Sequence, residues 1–236
     1  MSPAKLLAAF DFDHTIVDDN SDVVARRLLK CNAPIFDQGT CWTDYMQQIF
    51  ELLQKQGTTP QEIRKAIIGM KEVKGFAKLV NFLYSADAEI IVISDANEYF
   101  IEKWLRSKKL DHVVAHVFTN PAEFDGGTLR IQKHHKQDWC ALSSENLCKG
   151  HILENYIEKR KVEGVEFDKI LYVGDGNNDY CPSLKLREED VTFPRKGYAF
   201  MQKLDQLGDK NGIKSKIHVW STHMDILNYI KEHVYP

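Results

Sequence analysis

The stretch that decides the fold is Asp11-Phe12-Asp13-His14-Thr15, which follows directly on the apolar run Leu6–Phe10. A short, continuous apolar run is typical of a strand that is buried on both faces, as in a parallel sheet. Two further runs of this kind, Glu89–Ile93 and Lys169–Val173, also end in polar or acidic residues. Because the carboxyl ends of parallel strands meet at one edge of a sheet, we expect these polar ends to form one site.

Helical patterns lie between these runs. The alternation of strand and helix predicts an α/β fold, a doubly wound parallel sheet with a Rossmann-like core. Weaker strand candidates are residues 112–118, 190–193 and 217–220. Apolar residues recur at helical spacing in residues 76–84, 99–105, 152–159 and 226–234.

Residues 19–72 break the alternation, because they contain no convincing strand. They predict three helices, near residues 22–29, 43–54 and 59–70, the last opened by a capping threonine, Thr59, and a first-position proline. We therefore predict a helical cap of residues 19–72, inserted after the first strand of a core formed by residues 1–18 and 73–236. A second irregular stretch contains Asp125-Gly126-Gly127, a turn signal that predicts a β-hairpin.

Composition limits the class of protein. The 236 residues fit one large domain, or a core with a smaller insert, and 43% hydrophobic with 28% charged residues is typical of a globular protein. A net charge of −3 gives no reason to expect nucleic acid or an anionic membrane as partner. No window suits a signal peptide or a membrane span. Five cysteines, an odd number, favour reduced thiols and a cytoplasmic protein.

Asp11 and Asp13 leave the first strand together, while Phe12 between them faces the core. A carboxylate can attack phosphorus to form an acyl phosphate, which divides a difficult hydrolysis into two steps. A second carboxyl group can protonate the leaving oxygen and later take a proton from water. Because the two carboxylates repel each other and a phosphate group, we expect a cation, and oxygen ligands suit Mg²⁺.

The other strand ends complete a phosphate site. The Ser94 hydroxyl, with backbone N–H groups of the following helix start, can hold phosphate oxygens. Lys149, at another predicted helix start, can neutralise charge on the phosphoryl group. The turn Gly174-Asp175-Gly176-Asn177-Asn178-Asp179 offers two acids. Asp175 is placed to bind Mg²⁺, and Asp179 to bind the metal or orient its waters.

The sequence resembles the haloacid dehalogenase superfamily, because it contains all four signatures of that superfamily in the same order. They are Asp-x-Asp-x-Thr, a serine at a strand end, a lysine at a helix start and Gly-Asp-Gly-x-Asn-Asp. The resemblance implies that Asp11 is the nucleophile and Asp13 the acid/base residue. It implies that Ser94 and Lys149 bind phosphate. It also implies that Asp175 binds Mg²⁺ together with Asp11 and the Asp13 carbonyl, and that Asp179 is the acidic residue that supports the metal. The ATPase branch has threonine in place of Asp13 and the dehalogenase branch lacks the acid, so Asp13 favours a phosphatase or phosphotransferase.

Four segments indicate a more specific group within the superfamily. Residues 11–22, 93–97, 118–121 and 194–198 look like the PHOSPHO-type phosphatases. That group comprises phosphoethanolamine/phosphocholine phosphatases and a branch described as pyridoxal phosphate phosphatases. The similarity extends from Leu6 to about Ile230. It implies that Asp22 and Asp95 contact the substrate.

The chemistry of these residues agrees with that role. Two carboxylates can receive the ammonium end of a phosphoamine. Trp42 and Tyr45 in the cap can add cation–π contacts to a quaternary ammonium. The alternatives are that Asp22 stabilises a helix dipole, that Asp95 is an acid near a helix N-cap, and that the two aromatic residues pack within the cap.

The loop before Lys149 departs from the family pattern, which has Cys-x-x-Cys and a further cysteine. Cys140 is followed by Ser143 where the second cysteine is expected, and Cys148 is retained. A thiol-pair or metal role for this loop is thereby weakened. His134-His135 fits no closed zinc site and predicts solvent-exposed loop residues. Cys181 is expected to be a small buried side chain.

We therefore expect a Mg²⁺-dependent phosphomonoesterase whose partner is a small phosphate ester. A phosphotransferase or mutase on the same machinery would need an acceptor other than water. A non-catalytic phosphate-binding protein would lack the nucleophile, the acid/base residue or the lysine, and none of these is missing. The sequence does not indicate an oligomeric state.

Overall fold

A parallel sheet forms the centre of the computed structural model, which describes residues 5–37 and 39–235. The outer limits of the predicted core, residues 1 and 236, lie outside the described residues. The strands are β1 Leu6–Phe10, β2 Glu89–Asn97, β3 His116–Asn120, β4 Ala122–Asp125, β5 Thr128–Ile131, β6 Lys169–Gly174, β7 Val191–Pro194 and β8 Lys216–Ile217. Six of them form one sheet in the order β3-β2-β1-β6-β7-β8, with every pair parallel, and β4 pairs with β5 in a separate hairpin.

Helices cover both faces of the sheet, as the sequence predicted. The helices are α1 Ser21–Arg26, α2 Trp42–Lys55, α3 Pro60–Ile68, α4 Phe76–Ser85, α5 Glu98–Lys108, α6 Lys149–Val162, α7 Tyr180–Ser183, α8 Ala199–Leu207 and α9 His223–His233. Alternate residues of β1 belong to two different cores. Ala8 and Phe10 pack with residues of α4, α5 and α9, whereas Leu7 and Ala9 pack with residues of α6. The α/β doubly wound fold class is confirmed.

The insert between β1 and α4 contains α1, α2 and α3. Thr59 caps α3 as predicted, because its hydroxyl accepts from the Glu62 N–H and the Glu62 carboxylate accepts from the Thr59 N–H. The two ends of the insert meet. The Asp18 N–H donates to the Lys71 carbonyl at 2.9 Å, and the Val73 N–H donates to the Ile16 carbonyl at 2.9 Å. The chain therefore leaves the core and returns to it at one point.

The predicted hairpin forms around Gly126 and Gly127, which have φ values of +53° and +86° and so adopt the left-handed conformation that glycine favours. The hairpin packs on α2 of the insert. The Gln47 side chain accepts from the Ile131 N–H at 3.0 Å, and Arg130 pairs with Glu51 at 2.7 Å. The sequence pattern did not indicate that these two segments meet.

Several elements differ from the prediction. Strand β2 continues to Asn97 instead of ending at Ile93, with a register shift between these two residues. The strand predicted over 112–118 begins only at His116, because residues Asp111–Val113 form a 3₁₀ turn that buries Val113. The predicted strand 217–220 is reduced to Lys216–Ile217, at the edge of the sheet. Helix α8 was not predicted, although Phe200 and Leu204 are buried at a helical spacing of four residues. Within the described residues, no helix combines the length and apolarity that crossing a membrane requires.

Candidate active site

The chain reverses direction directly after β1, and this turn shapes the first part of the site. The N–H groups of Ile16 and Val17 both donate to the Phe12 carbonyl, at 2.7 and 3.1 Å. His14 takes a left-handed conformation with φ of +53° to make the turn. As a result, Asp11 and Asp13 are both almost buried at the carboxyl edge of the sheet, as predicted.

Asp11 lies against a buried ammonium. Its Oδ2 is 3.0 Å from Lys149 Nζ, and its Oδ1 accepts from the Phe12 N–H at 2.7 Å. Burial raises the pKa of Asp11 to about 7, although the neighbouring Lys149 charge opposes this. Only one oxygen of Asp11 is thus paired with a charged group.

Asp13 is held by one residue at the start of the cap. Its Oδ1 accepts from the Ser21 N–H at 2.8 Å, and its Oδ2 pairs with the Ser21 hydroxyl at 3.0 Å. Burial, together with the nearby carboxylate of Asp22, raises the pKa of Asp13 well above its usual range. The site therefore favours the protonated form of Asp13 more than water does, and a general acid needs that form.

Lys149 and Asp179 form a buried ion pair behind Asp11. Lys149 Nζ donates to Asp179 Oδ1 at 2.8 Å, and the same oxygen accepts from the Tyr172 hydroxyl at 2.7 Å. The other oxygen of Asp179 accepts from the backbone N–H groups of Asp175 and Gly176, at 2.9 and 2.8 Å. Burial disfavours the charged lysine, but the carboxylates of Asp11 and Asp179 raise the pKa of Lys149 above its ordinary value. The ammonium therefore stays charged in the interior.

The turn after β6 brings Asp175 opposite Asp11. Asp175 Oδ1 accepts from the Thr15 hydroxyl at 3.3 Å. Burial and the charges of Asp11 and Asp179 raise the pKa of Asp175 to about 8. A Cβ at Gly174 would lie 2.3 Å from the Asp179 Cγ, so this turn closes only around glycine.

The carboxylate cluster fits a divalent cation. One oxygen from each of Asp11, Asp175 and Asp179 lies within 4.8 Å of the others. Burial, and after it the charges of neighbouring carboxylates, raises the pKa values of Asp11 and Asp175, and a bound cation would oppose both effects. An all-oxygen donor set of this kind suits a hard cation. Asp179 was predicted either to bind the metal or to orient its waters. It already accepts four hydrogen bonds, which favours the second role. Its place among the metal ligands stays a prediction.

The last part of β2, where the register shifts after Ile93, supplies Ser94 and Asp95. Ser94 is fully buried, and its hydroxyl accepts from the Ala96 N–H at 3.3 Å. Asp95 Oδ2 accepts from the Asn178 side chain at 3.0 Å, so β2 and the turn after β6 are joined across the site. Asn120 fixes this strand end, because its side chain donates to the carbonyls of Asp95 and Ala96 at 2.7 and 2.9 Å.

Asp22 is a buried carboxylate on the cap side of the site. Its Oδ2 accepts from the Trp42 Nε1–H at 2.7 Å, and its Oδ1 has no hydrogen-bond partner among residues 5–37 and 39–235. Burial raises the pKa of Asp22 to about 7, against the Trp42 hydrogen bond, and the charge of Asp95 raises it further. Asp22 therefore lies within electrostatic reach of both Asp95 and Asp13.

Trp42 and Tyr45 pack with Phe36 in a cluster within the cap. The three ring centroids are 5.0 to 5.2 Å apart. The Tyr45 hydroxyl donates to the Pro34 carbonyl, and the ring is almost fully buried. This packing agrees with the structural alternative for Tyr45, whereas Trp42 also contacts Asp22.

Several residues that hold the site were not singled out by the sequence reasoning. Tyr172 contacts Asp179, and Asn178 contacts Asp95. Ser21 contacts Asp13, and Thr15 contacts Asp175. Tyr172 had a usable signal, since it is a hydroxyl-bearing residue two positions before Gly174 and therefore on the same face of β6. The Asn178 contact joins loops 83 residues apart and had no local signal.

Comparisons with known proteins show the family of the chain. Residues 6–234 match the model of the family described as "Putative Phosphatase". The chain is 35% identical over 237 residues to the protein of Bos taurus named pyridoxal phosphate phosphatase PHOSPHO2, covering 96% of this chain and 98% of that protein. It is 31% identical over 239 residues to the phosphoethanolamine/phosphocholine phosphatase of Homo sapiens, covering 97% and 89%.

Solved structures share the fold at lower identity. A phospho-aspartyl intermediate analogue of phosphoserine phosphatase has a TM-score of 0.61 and 19% identity, covering 96% of this chain and 99% of that chain. A substrate-bound phosphoserine phosphatase has a TM-score of 0.64 and 18% identity, covering 95% and 98%. The match over nearly the whole sequence shows that the chain is a phosphatase of the "Putative Phosphatase" family.

Proposed function

We propose that this phosphatase hydrolyses a small phosphate monoester bearing a cationic amine, through a phospho-aspartate formed on Asp11. The observation that carries the proposal is the buried Oδ1 of Asp22, which has no hydrogen-bond partner among the described residues. Its carboxylate lies within electrostatic reach of Asp95 and Asp13. A buried carboxylate oxygen without a donor is costly unless a ligand supplies one. An ammonium group beyond the phosphate supplies both the donor and the opposite charge.

The residues around Asp11 divide the reaction into two steps. In the first, an Asp11 oxygen bonds to phosphorus while the bond from phosphorus to the ester oxygen breaks, and Asp13 gives its proton to the departing alkoxide. In the second, Asp13 takes a proton from water, the water oxygen bonds to phosphorus, and the bond to Asp11 breaks to release phosphate. Asp13 ends each cycle protonated, as it began.

Lys149, Ser94 and the metal ligands stabilise charge throughout. Lys149 balances charge on Asp11 and the phosphoryl oxygens, since its Nζ is already 3.0 Å from the Asp11 carboxylate. The Ser94 hydroxyl and nearby N–H groups hold non-transferred oxygens. Mg²⁺ would be held by Asp11, Asp175 and the Asp13 carbonyl, with Asp179 in support, and when bound it supplies positive charge to the phosphoryl group.

Two substrate classes follow from the relatives. One relative, at 31% identity, is named as a phosphoethanolamine/phosphocholine phosphatase, and another, at 35% identity, as a pyridoxal phosphate phosphatase. Identities this similar do not separate the classes, so the preference for an aliphatic amine rests on Asp22 and Asp95. Transfer to an acceptor other than water is tested in the same assay, because hydrolysis releases one phosphate for each alcohol produced.

The test measures Mg²⁺-dependent phosphate release from phosphoethanolamine, phosphocholine, pyridoxal phosphate, phosphoserine and glycerol phosphate, an ester whose alcohol carries no charge. Asp11→Asn should abolish release from every substrate. Asp13→Asn should slow both steps. Release from none of these esters by the wild-type enzyme would overturn the proposed activity.

The substrate assignment is tested separately with Asp22→Asn and Asp95→Asn. Each should lower kcat/KM for phosphoethanolamine about 10- to 100-fold while changing that for glycerol phosphate little, which matches about 1.4–2.8 kcal/mol for a charged hydrogen bond. Asp44→Asn is the matched control, since it removes the same charge from an exposed site of the cap. Equal losses for both esters would refute recognition of the amine and leave the phosphatase assignment intact.

A further inference from the structure

Three thiols converge behind the active site. Cys140 lies in the loop before α6, Cys148 is the N-cap of α6, and Cys181 is the second residue of α7. Cys181 Sγ is 3.5 Å from Cys140 Sγ and 3.8 Å from Cys148 Sγ, and the three sulfurs all lie within 4.8 Å of one another. The sequence reasoning discounted this loop because Ser143 stands where the family pattern has its second cysteine, and it did not foresee that Cys181 joins the loop.

The spacing of the sulfurs matches a metal–thiolate site. Zinc–sulfur bonds of about 2.3 Å in a tetrahedron place neighbouring sulfurs about 3.8 Å apart. A disulfide bond would join only two of the sulfurs, at about 2.05 Å, and leave the third without a partner. Three mutually close thiols from three separate segments are better explained by one shared ligand.

A fourth position is available at Ser143. Its hydroxyl is 3.5 Å from Cys140 Sγ and 3.3 Å from Cys148 Sγ, so it lies over the same space as the sulfurs. The nearby imidazole of His135 is not free to bind there, because its Nε2 accepts from the Cys148 N–H at 2.9 Å. Since His135 and His134 are half-buried and bond to the backbone, the prediction of solvent-exposed histidines was wrong.

The surrounding residues hold the thiols in place. The almost buried Gln137 donates to the carbonyls of Cys140 and Ser143 at 3.2 and 3.1 Å and accepts from the Cys140 N–H at 2.8 Å. On the other side, a Cβ at Gly150 would lie 2.6 Å from Cys181 Sγ, so the sulfur approaches α6 only because residue 150 is glycine. Such bracing of the ligands is typical of structural metal sites.

We propose that Cys140, Cys148 and Cys181 bind a structural Zn²⁺ ion, with an oxygen from Ser143 or water as the fourth ligand. Soft thiolate donors distinguish this site from the all-oxygen cluster of Asp11, Asp175 and Asp179. Cys148 directly precedes Lys149, and Cys181 follows Asp179 by two residues. The ion therefore fixes the two elements that carry the buried Lys149–Asp179 pair.

The first test measures zinc in the full-length protein after dialysis against excess Mg²⁺, which occupies the carboxylate cluster. We expect about one zinc per chain in the wild type and in Cys31→Ser, a matched control at an exposed cysteine, and less than about a tenth of that in Cys181→Ser. Equal zinc in the wild type and Cys181→Ser would overturn the proposal. So would a Cys140–Cys181 disulfide found by mass spectrometry in protein alkylated without reductant.

A second measurement does not depend on the folding of a cysteine variant. Co²⁺ added to the dialysed, chelator-treated wild type should give a thiolate-to-cobalt charge-transfer band in the ultraviolet. Ser143→Cys should complete a four-cysteine set, strengthen this band and lower the zinc Kd at least about tenfold. A cobalt spectrum without the band, or a Ser143→Cys variant with unchanged zinc affinity, would overturn the proposed ligand set.

Discussion

A buried imidazole beneath the active site makes the stability of this enzyme depend on pH. His223 is fully buried at the start of α9 and its ring stacks on Trp220 with a centroid distance of 4.9 Å. Its Nε2–H donates to the Thr15 carbonyl at 2.8 Å, and Nδ1 has no partner within the described part of the chain. Burial lowers the pKa of His223 from 6.5 to about 4. The fold therefore holds the neutral form.

The sign and size of the effect follow from these two pKa values. The folded-state pKa lies below the unfolded one, so the unfolded chain binds a proton first as the pH falls. The stabilisation is complete above pH 6.5, is lost as the pH falls towards 4, and amounts to about 3 kcal/mol in all. Between pH 7.5 and pH 5 the loss due to His223 is about 2 kcal/mol.

The measurement must separate His223 from the buried carboxylates. Burial raises the pKa values of Asp11, Asp22 and Asp175, so the folded state binds their protons before the unfolded state as the pH falls. These carboxylates therefore increase the free energy of unfolding at low pH, whereas His223 decreases it. We therefore compare the wild type with His223→Gln, which keeps an N–H donor for Thr15 but does not titrate. The variant loses ring packing, and that cost is the same at every pH.

Urea unfolding followed by tryptophan fluorescence, with a chelator in every sample, gives the free energy of unfolding of both proteins. The wild type should exceed His223→Gln by about 2 kcal/mol more at pH 7.5 than at pH 5. A difference that is the same at both pH values would show that His223 is not held neutral in the fold and would refute the reasoning.

Three further predictions concern the site and the cap. Gly174→Ala places a Cβ against Asp179, so we expect the free energy of unfolding to fall by about 1–3 kcal/mol and the rate of phosphate release to fall at least about tenfold. Urea unfolding and initial rates measure the two effects, and wild-type values in both would contradict the prediction. Trp42→Phe removes the hydrogen bond that lowers the pKa of Asp22, so Asp22 should become protonated at a higher pH than in the wild type. The acidic limb of the pH profile of kcat/KM for phosphoethanolamine should therefore move to higher pH. An acidic limb at the same pH as in the wild type would argue that ionised Asp22 does not bind the substrate. Thr59→Ala removes the N-terminal cap of α3 and should lower the free energy of unfolding by about 1 kcal/mol, with kcat/KM unchanged when both are measured on one preparation.

The main elements of the site were predictable because they stand at the ends of buried strands. Short apolar runs fixed β1, β2 and β6, and parallel strands bring their carboxyl ends together whatever the loops do. Asp11, Asp13, Ser94 and Asp175 could therefore be grouped from the sequence. Lys149 needed the additional expectation of a helix start at the same edge.

The supporting contacts were not predictable, because packing between distant loops decides them. Asn178 and Asp95 are 83 residues apart in the sequence, and Cys181 and Cys140 are 41 residues apart, so neither contact follows from local sequence patterns. The strand predicted over 112–118 failed for a related reason. Val113 is apolar, which suits a strand, but the structure buries it in a 3₁₀ turn instead.

The paired ends of the insert have a consequence for engineering and for the diversification of such enzymes. Asp18 and Lys71 are hydrogen-bonded neighbours, and so are Ile16 and Val73, so the core presents the insert with two anchor points that are already adjacent. A module of another length or shape can be grafted between them without lengthening any core strand. The graft must also replace the hairpin 122–131, which rests on Gln47 and would otherwise expose its contact face. Such a graft would remove Asp22 and leave Asp95 in β2, so it would change only one of the two carboxylates proposed to bind the amine.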